Sequence, residues 1–119
     1  MSNLTDLVPA GGAGKVVKFT ASGSITNGKP VVINSNGTVN QVNSDLSSTN
    51  FIGIANESVS SGATVKVMLQ GGVDNTQSGL TPGSTYYVRN DATISTSADS
   101  PSIICGLAIS TTTILLAGE

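Results

Sequence analysis

Gly28-Lys29-Pro30-Val31-Val32-Ile33-Asn34-Ser35-Asn36-Gly37-Thr38-Val39 aligns without a gap to Gly83-Ser84-Thr85-Tyr86-Tyr87-Val88-Arg89-Asn90-Asp91-Ala92-Thr93-Ile94. Both stretches read as glycine, apolar run, polar turn, second run. In the first, Asn36-Gly37 lies between β-branched residues, the strongest short-range hairpin signal because both residues tolerate positive φ. In the second, Asn90-Asp91-Ala92 lacks the glycine, which predicts a looser hairpin. Working outward, each stretch is followed by an apolar segment ending in Gly-apolar-Ala: Phe51-Ile52-Gly53-Ile54-Ala55 and Ile104-Cys105-Gly106-Leu107-Ala108. Each then closes with an alternating strand that ends at glycine, Val65 to Gly71 and Thr112 to Gly118. Four features in one order predict a duplication, with pseudo-repeats at about 25–71 and 80–118. So small a half-unit hides too little surface to stand alone, so the two are expected to share one core.

Short strands are expected along most of the chain. Candidates are Lys15 to Ala21, Pro30 to Asn34, Thr38 to Val42, Phe51 to Ala55, Thr64 to Gln70, Val73 to Asn75, Thr85 to Val88, Thr93 to Ser95, Ile103 to Ile109 and Thr113 to Ala117. In the fifth of these, Val65, Val67 and Leu69 share one face while Lys66, Met68 and Gln70 share the other. No window shows a 3.6-residue period with helix caps. The expected fold is all-β, a compact β-sandwich or β-barrel built from two similar half-units. Residues 1–14 are expected to form an extended N-terminal arm, because Pro9 and Gly11-Gly12-Ala13-Gly14 oppose regular structure. Residues 15–119 are then a single β-domain.

Composition narrows the function. The chain has 119 residues, of which 10% are charged, against roughly 25% in an average globular protein. Five basic and seven acidic side chains leave a net charge of -2. So few cations neutralise few phosphates, which argues against nucleic-acid binding. No apolar run approaches the roughly 20 residues that span a bilayer as a helix, and Met1 to Ala10 lacks the basic and apolar regions of a secretory signal. The chain is therefore expected to fold in a reducing cytosol. The single Cys105 sits in an apolar stretch with no flanking cation, which predicts a buried, inert thiol.

Catalytic patterns fail on inspection. There is no His, the commonest general base and an important metal ligand. Gly11-Gly12-Ala13-Gly14-Lys15 is like a phosphate-binding loop, but Pro9 stands where its first glycine belongs and Val16 where its hydroxyl belongs. Asp6, Asp45, Glu57, Asp74, Asp91 and Asp99 are scattered over expected loops, with no pair set in apolar surroundings to raise a pKa. Asp74-Asn75 alone supplies too few oxygens for calcium. No enzymatic activity, cofactor or metal is expected. Ser and Thr make up about a quarter of the chain. Their short side chains lose little entropy on being fixed and hydrogen-bond at a contact without desolvating ions. Such a surface suits a β-module packed against protein neighbours.

The stretch from Gly28 to Val39, Phe51-Ile52-Gly53-Ile54-Ala55, Gly79-Leu80-Thr81-Pro82-Gly83-Ser84-Thr85-Tyr86-Tyr87-Val88 and Gly106-Leu107-Ala108-Ile109-Ser110 resemble small modules of tailed-bacteriophage virion proteins. Such modules occur as capsid decoration (cement) proteins and in fibre proteins. The resemblance covers about residues 15–118 and implies a virion structural protein on the outer capsid surface, bound to the major capsid protein, as a homotrimer or homodimer, with no nucleic-acid or membrane partner. A chain with its own Met1 fits a stand-alone cement protein better than a fibre fragment. The expected docking residues are Leu4, Leu7 and Val8 of the arm, assisted by Lys15 and Lys18 against an acidic shell. The alternative is a receptor-binding fibre tip that contacts host glycans through Tyr86 or Tyr87; strand alternation leaves only one of these rings outward.

Overall fold

A computed structural model describes residues 16–47 and 49–117. Ten strands succeed one another in chain order: β1 Val16–Thr20, β2 Pro30–Ile33, β3 Val39–Gln41, β4 Phe51–Ala55, β5 Thr64–Leu69, β6 Val73–Asp74, β7 Thr85–Val88, β8 Ile94–Ser95, β9 Ile103–Ala108 and β10 Ile114–Leu116. They form two five-stranded antiparallel sheets, ordered β1-β5-β4-β2-β3 and β6-β10-β9-β7-β8. The second order repeats the first strand for strand, so the all-β fold is built from two similar half-units.

The likeness extends to single hydrogen bonds. The Asn34 amide donates to Thr38 O, and at the same place in the second half the Arg89 amide donates to Thr93 O. Asn36 accepts from the Thr38 amide and hydroxyl, and Asp91 accepts from the same two groups of Thr93. Gly28 and Gly83, both at φ 87°, donate to Ala55 O and Ala108 O. The glycine-free turn of the second half is closed in the same way as the first. Ala92 takes the left-handed conformation at φ 69°, where Gly37 sits at 88°. Its methyl is buried in the core, which offsets part of the cost of placing a Cβ there.

Each half also carries a β-bulge at the same point. Pairing of β2 with β4 shifts between Val31 and Val32, and pairing of β7 with β9 shifts between Tyr86 and Tyr87. Beside the bulges stand Gly53 and Gly106. A Cβ there would lie 2.0 Å from Met68 O and 2.2 Å from Leu115 O respectively. The Gly-apolar-Ala echo in the sequence therefore marks two places where neighbouring backbones approach too closely for any side chain.

Apolar residues collect in two clusters. One draws Val32, Phe51, Ile54 and Met68 from the first sheet and Tyr86, Val88, Cys105, Ala108, Ile114 and Leu116 from the second, with Leu80 and Ala92. The other lies on the opposite face of the first sheet and joins Val31, Val39, Ala55, Val65 and Val67 to Ala21 and Ile25. Two-way backbone hydrogen bonds between Ile25 and Val59 hold this cover in place. β5 thus buries Val65 and Val67 on one side and Met68 on the other.

The buried Asp74 ties the halves together. Its carboxylate accepts from the Thr76 hydroxyl at 2.8 and 2.9 Å and from Gln77 Nε2 at 2.9 Å. Gln77 Nε2 also donates to Gly28 O in the first half at 2.8 Å. The sequence reading places Asp74 both in the strand expected at Val73 to Asn75 and among the loop carboxylates; it lies in β6, with hydrogen-bonding partners on the connection that follows.

Candidate interaction surface

The outer face of the second sheet is built by three strands. β9 is central, flanked by β7 and β10. Thr85, Leu107 and Leu115 stand side by side across them, and Tyr87 stands beside Ile104. In a regular strand Ile104 and Leu107, three residues apart, would face opposite ways. The bulge at Cys105 adds one residue and re-aims the side chains after it. Ile104 and Leu107 then both face outward, while Cys105 and Ala108 face the core. The result is an apolar surface with Ile104 49%, Leu107 40% and Leu115 42% exposed. Together with Gly106, Thr85 and Ala117 these side chains line a shallow depression of about 450 Å³. No charged residue lines it.

The matching face of the first sheet has the opposite fate. Phe51, Ile54 and Met68 occupy the places of Ile104, Leu107 and Leu115, and all three are buried in the shared core. Likewise Pro30 stands beside Ile54 as Thr85 stands beside Leu107. The two half-units are stacked in the same sense: the front of the first covers the back of the second, and none of the described residues covers the front of the second.

Of the expected docking residues, Leu4, Leu7, Val8 and Lys15 lie outside the described residues. Lys18 is exposed on β1, directly opposite the exposed Lys66 of β5. Like charges so placed repel, and neither lysine forms an ion pair among the described residues. The apolar face is absent from the sequence reading. Its residues are visible there as an unbroken apolar run, but period-two alternation assigns Leu107 to the wrong side.

Other candidate sites resolve into structural roles. Burial pushes the Cys105 thiol up to about 12, with a further upward push from the Asp74 carboxylate; such a thiol stays protonated and unreactive at neutral pH. Tyr86 is buried, and its hydroxyl accepts the Thr81 amide at 2.9 Å, which leaves Tyr87 as the half-exposed ring of the pair. Among the described residues no three Cys, Asp or Glu side chains are grouped to hold a metal ion, and no helix is long and apolar enough to cross a membrane.

A comparison with curated proteins finds no match. A protein-family model described as phage cement protein matches residues 12–113, a span that takes in β1 to β9 and ends just before β10. The match covers most of the duplicated, sparingly charged β-body, and the chain belongs to the phage cement protein family.

Proposed function

We propose that this protein decorates the outer capsid of a tailed bacteriophage and reinforces it by binding subunits of the major capsid protein. The family match over residues 12–113 carries this reading. A decorating protein that binds only the assembled shell adds its binding free energy to what must be overcome before subunits separate. The work requires fitted surfaces and no chemistry of its own. In this reading the N-terminal residues dock: Leu4, Leu7 and Val8 bury themselves against the shell, and Lys15 and Lys18 oppose its acidic groups. The Lys18–Lys66 pair supports an anionic partner, because a nearby carboxylate relieves the repulsion between the two ammonium groups.

Deletion of residues 1–10 is the test. The truncated protein should keep its far-UV β spectrum and lose binding to capsids in co-sedimentation. A truncated chain that still decorates shells overturns docking by these residues. Hundreds of copies per virion are expected for a protein spread over a capsid lattice, and tens or fewer would place it in the tail.

A further inference from the structure

We infer that the edge of β1 accepts an added strand, and that the strand it fits is an extended segment of the shell carrying a carboxylate between apolar residues. The inference rests on the capsid reading above and names the surface of this chain, and the chemistry of the partner, that would meet.

The phase of the hydrogen bonds shows which groups of β1 are spare. The Asn56 amide donates to Lys66 O and the Gln70 amide to Ile52 O. In β5, Lys66 and Met68 therefore direct their main-chain groups to β4, while Val65 and Val67 direct theirs to β1. The residues opposite, Phe19 and Val17, bond inward, and the Ala21 amide continues that phase by donating to Ala63 O. The N–H and C=O groups of Val16, Lys18 and Thr20 then point away from the sheet. No hydrogen bond from the described residues reaches them.

Among the described residues this is the longest edge, five residues on β1. The other edge of the first sheet, β3, has three residues, and Val39 O there already accepts the Ser22 amide. The edge strands β6 and β8 have two residues each. An added strand gains affinity from main-chain bonds and specificity from alternate side chains.

Side chains choose the partner. Lys18 and Lys66 stand directly opposite, with no ion pair among the described residues. A second copy pairing edge to edge about Lys18 would put the lysines of both copies in one row, so this edge is guarded against its own kind. A carboxylate opposite Lys18 instead offsets the repulsion from Lys66. On the other face of β1, Val17 is 42% exposed and Phe19 is partly buried against the core. A neighbouring strand covers both when the residues flanking its carboxylate are apolar.

Hydrogen exchange read by mass spectrometry tests this, on the full chain free and bound to phage shells that lack it. In the free chain the Val17 and Phe19 amides should exchange slowly and those of Val16, Lys18 and Thr20 fast. On shells the latter three should slow at least about tenfold. Lys18→Glu should weaken binding to shells about tenfold or more. It places opposite charges across from each other at Lys66, so thermal stability should equal or exceed that of the parent. Lys18→Arg should bind as the parent does. Thr20→Pro removes one outward N–H and no ladder bond, which an edge strand tolerates; it should fold and lose about tenfold in affinity. Shells that bind the parent without protecting the three amides, or that bind Lys18→Glu as tightly, overturn strand addition and leave capsid docking standing. A parent that ignores shells removes the capsid reading and this one with it. Slow exchange of the three amides in the free chain, relieved by dilution or by deletion of residues 1–10, gives the edge to a second copy or to the chain itself and overturns the inference.

Discussion

The two halves of this molecule share strand order, bulge, turn hydrogen bonds and close-approach glycines, yet among the described residues one sheet is covered on both faces and the other on one. The difference arises from how they are stacked. Like units packed front to back always leave one back and one front at the ends, as in longer repeat arrays whose terminal units need caps. Here the free back is capped from within the chain. The β4–β5 connection, 56–63, is longer than the β9–β10 connection, 109–113, and its extra length brings Val59 to Ile25. Leu80, the counterpart of Ile25, instead donates its amide hydrogen bond to Thr111 O of the shorter connection and is buried in the shared core. The free front has no such cap among the described residues.

The severest way to break the comparison is at the glycines. Gly53→Ala and Gly106→Ala each drive a methyl into a backbone carbonyl of the next strand. The neighbour is main chain held in a sheet and has no rotamer through which to yield. Each substitution should destabilise by about 3 kcal/mol or more, beyond ordinary overpacking. Urea unfolding of the two variants should show comparable losses, or a shared failure to accumulate folded protein. A tolerated Gly106→Ala beside a ruinous Gly53→Ala would mean that the bulges are not equivalent.

A smaller effect separates the two fronts. Ile54 and Leu107 hold the same place in their sheets, but Ile54 is fully buried and Leu107 is 40% exposed. Ile54→Ala should cost about 2–5 kcal/mol through lost burial and the cavity left behind. Leu107→Ala, measured at a concentration where the chain is monomeric, should cost under about 1 kcal/mol. Equal losses would show that the second front is covered within the single chain, and the stacking argument would fall.

Much of the fold is legible in the sequence because strand signals in this chain are local. Phe51–Ala55 and Thr85–Val88 are found at their expected bounds, and the other strands lie within a few residues of theirs. The duplication is legible because glycines and turn residues recur in order. Sidedness is not. A bulge shifts every later side chain to the other face, and nothing in Ile104-Cys105-Gly106-Leu107 announces it; the reason Gly106 is glycine appears only once Leu115 O lies against it. The burial of Asp74 is hidden for a related reason. Its partners Thr76 and Gln77 are close in sequence, but the carbonyl that Gln77 also serves, Gly28 O, is distant. The exposed face, which the stacking explains, depends on long-range contacts of that kind.

The mildest difference between the halves is one of charge. Asn36 and Asp91 make the same turn contacts, but only Asp91 titrates. The Thr93 hydroxyl beside it, above all, holds its carboxyl below the ordinary value of 3.8; desolvation opposes this, and the Thr93 amide and the nearby Arg89 add to the lowering. Hydrogen bonds from the Asn90 and Ser100 amides likewise lower Asp99. A carboxyl depressed in the folded state contributes stability that is fully present above 3.8 and is lost as pH falls through the depressed value. Acid should therefore loosen the second hairpin before the first. Amide resonances of Thr93 and Thr38, followed by NMR from pH 6 down to about 2, should diverge below about pH 4, where a carboxylate of this kind begins to take up its proton. Asp91→Asn should make the Thr93 profile as flat as that of Thr38. Because Asp91 is solvent-exposed, the global unfolding midpoint should hardly move, so the hairpin resonances are the place where the two halves part company. Parallel profiles in the unmodified chain would show that the carboxylate of Asp91 in place of the Asn36 amide has no consequence in acid.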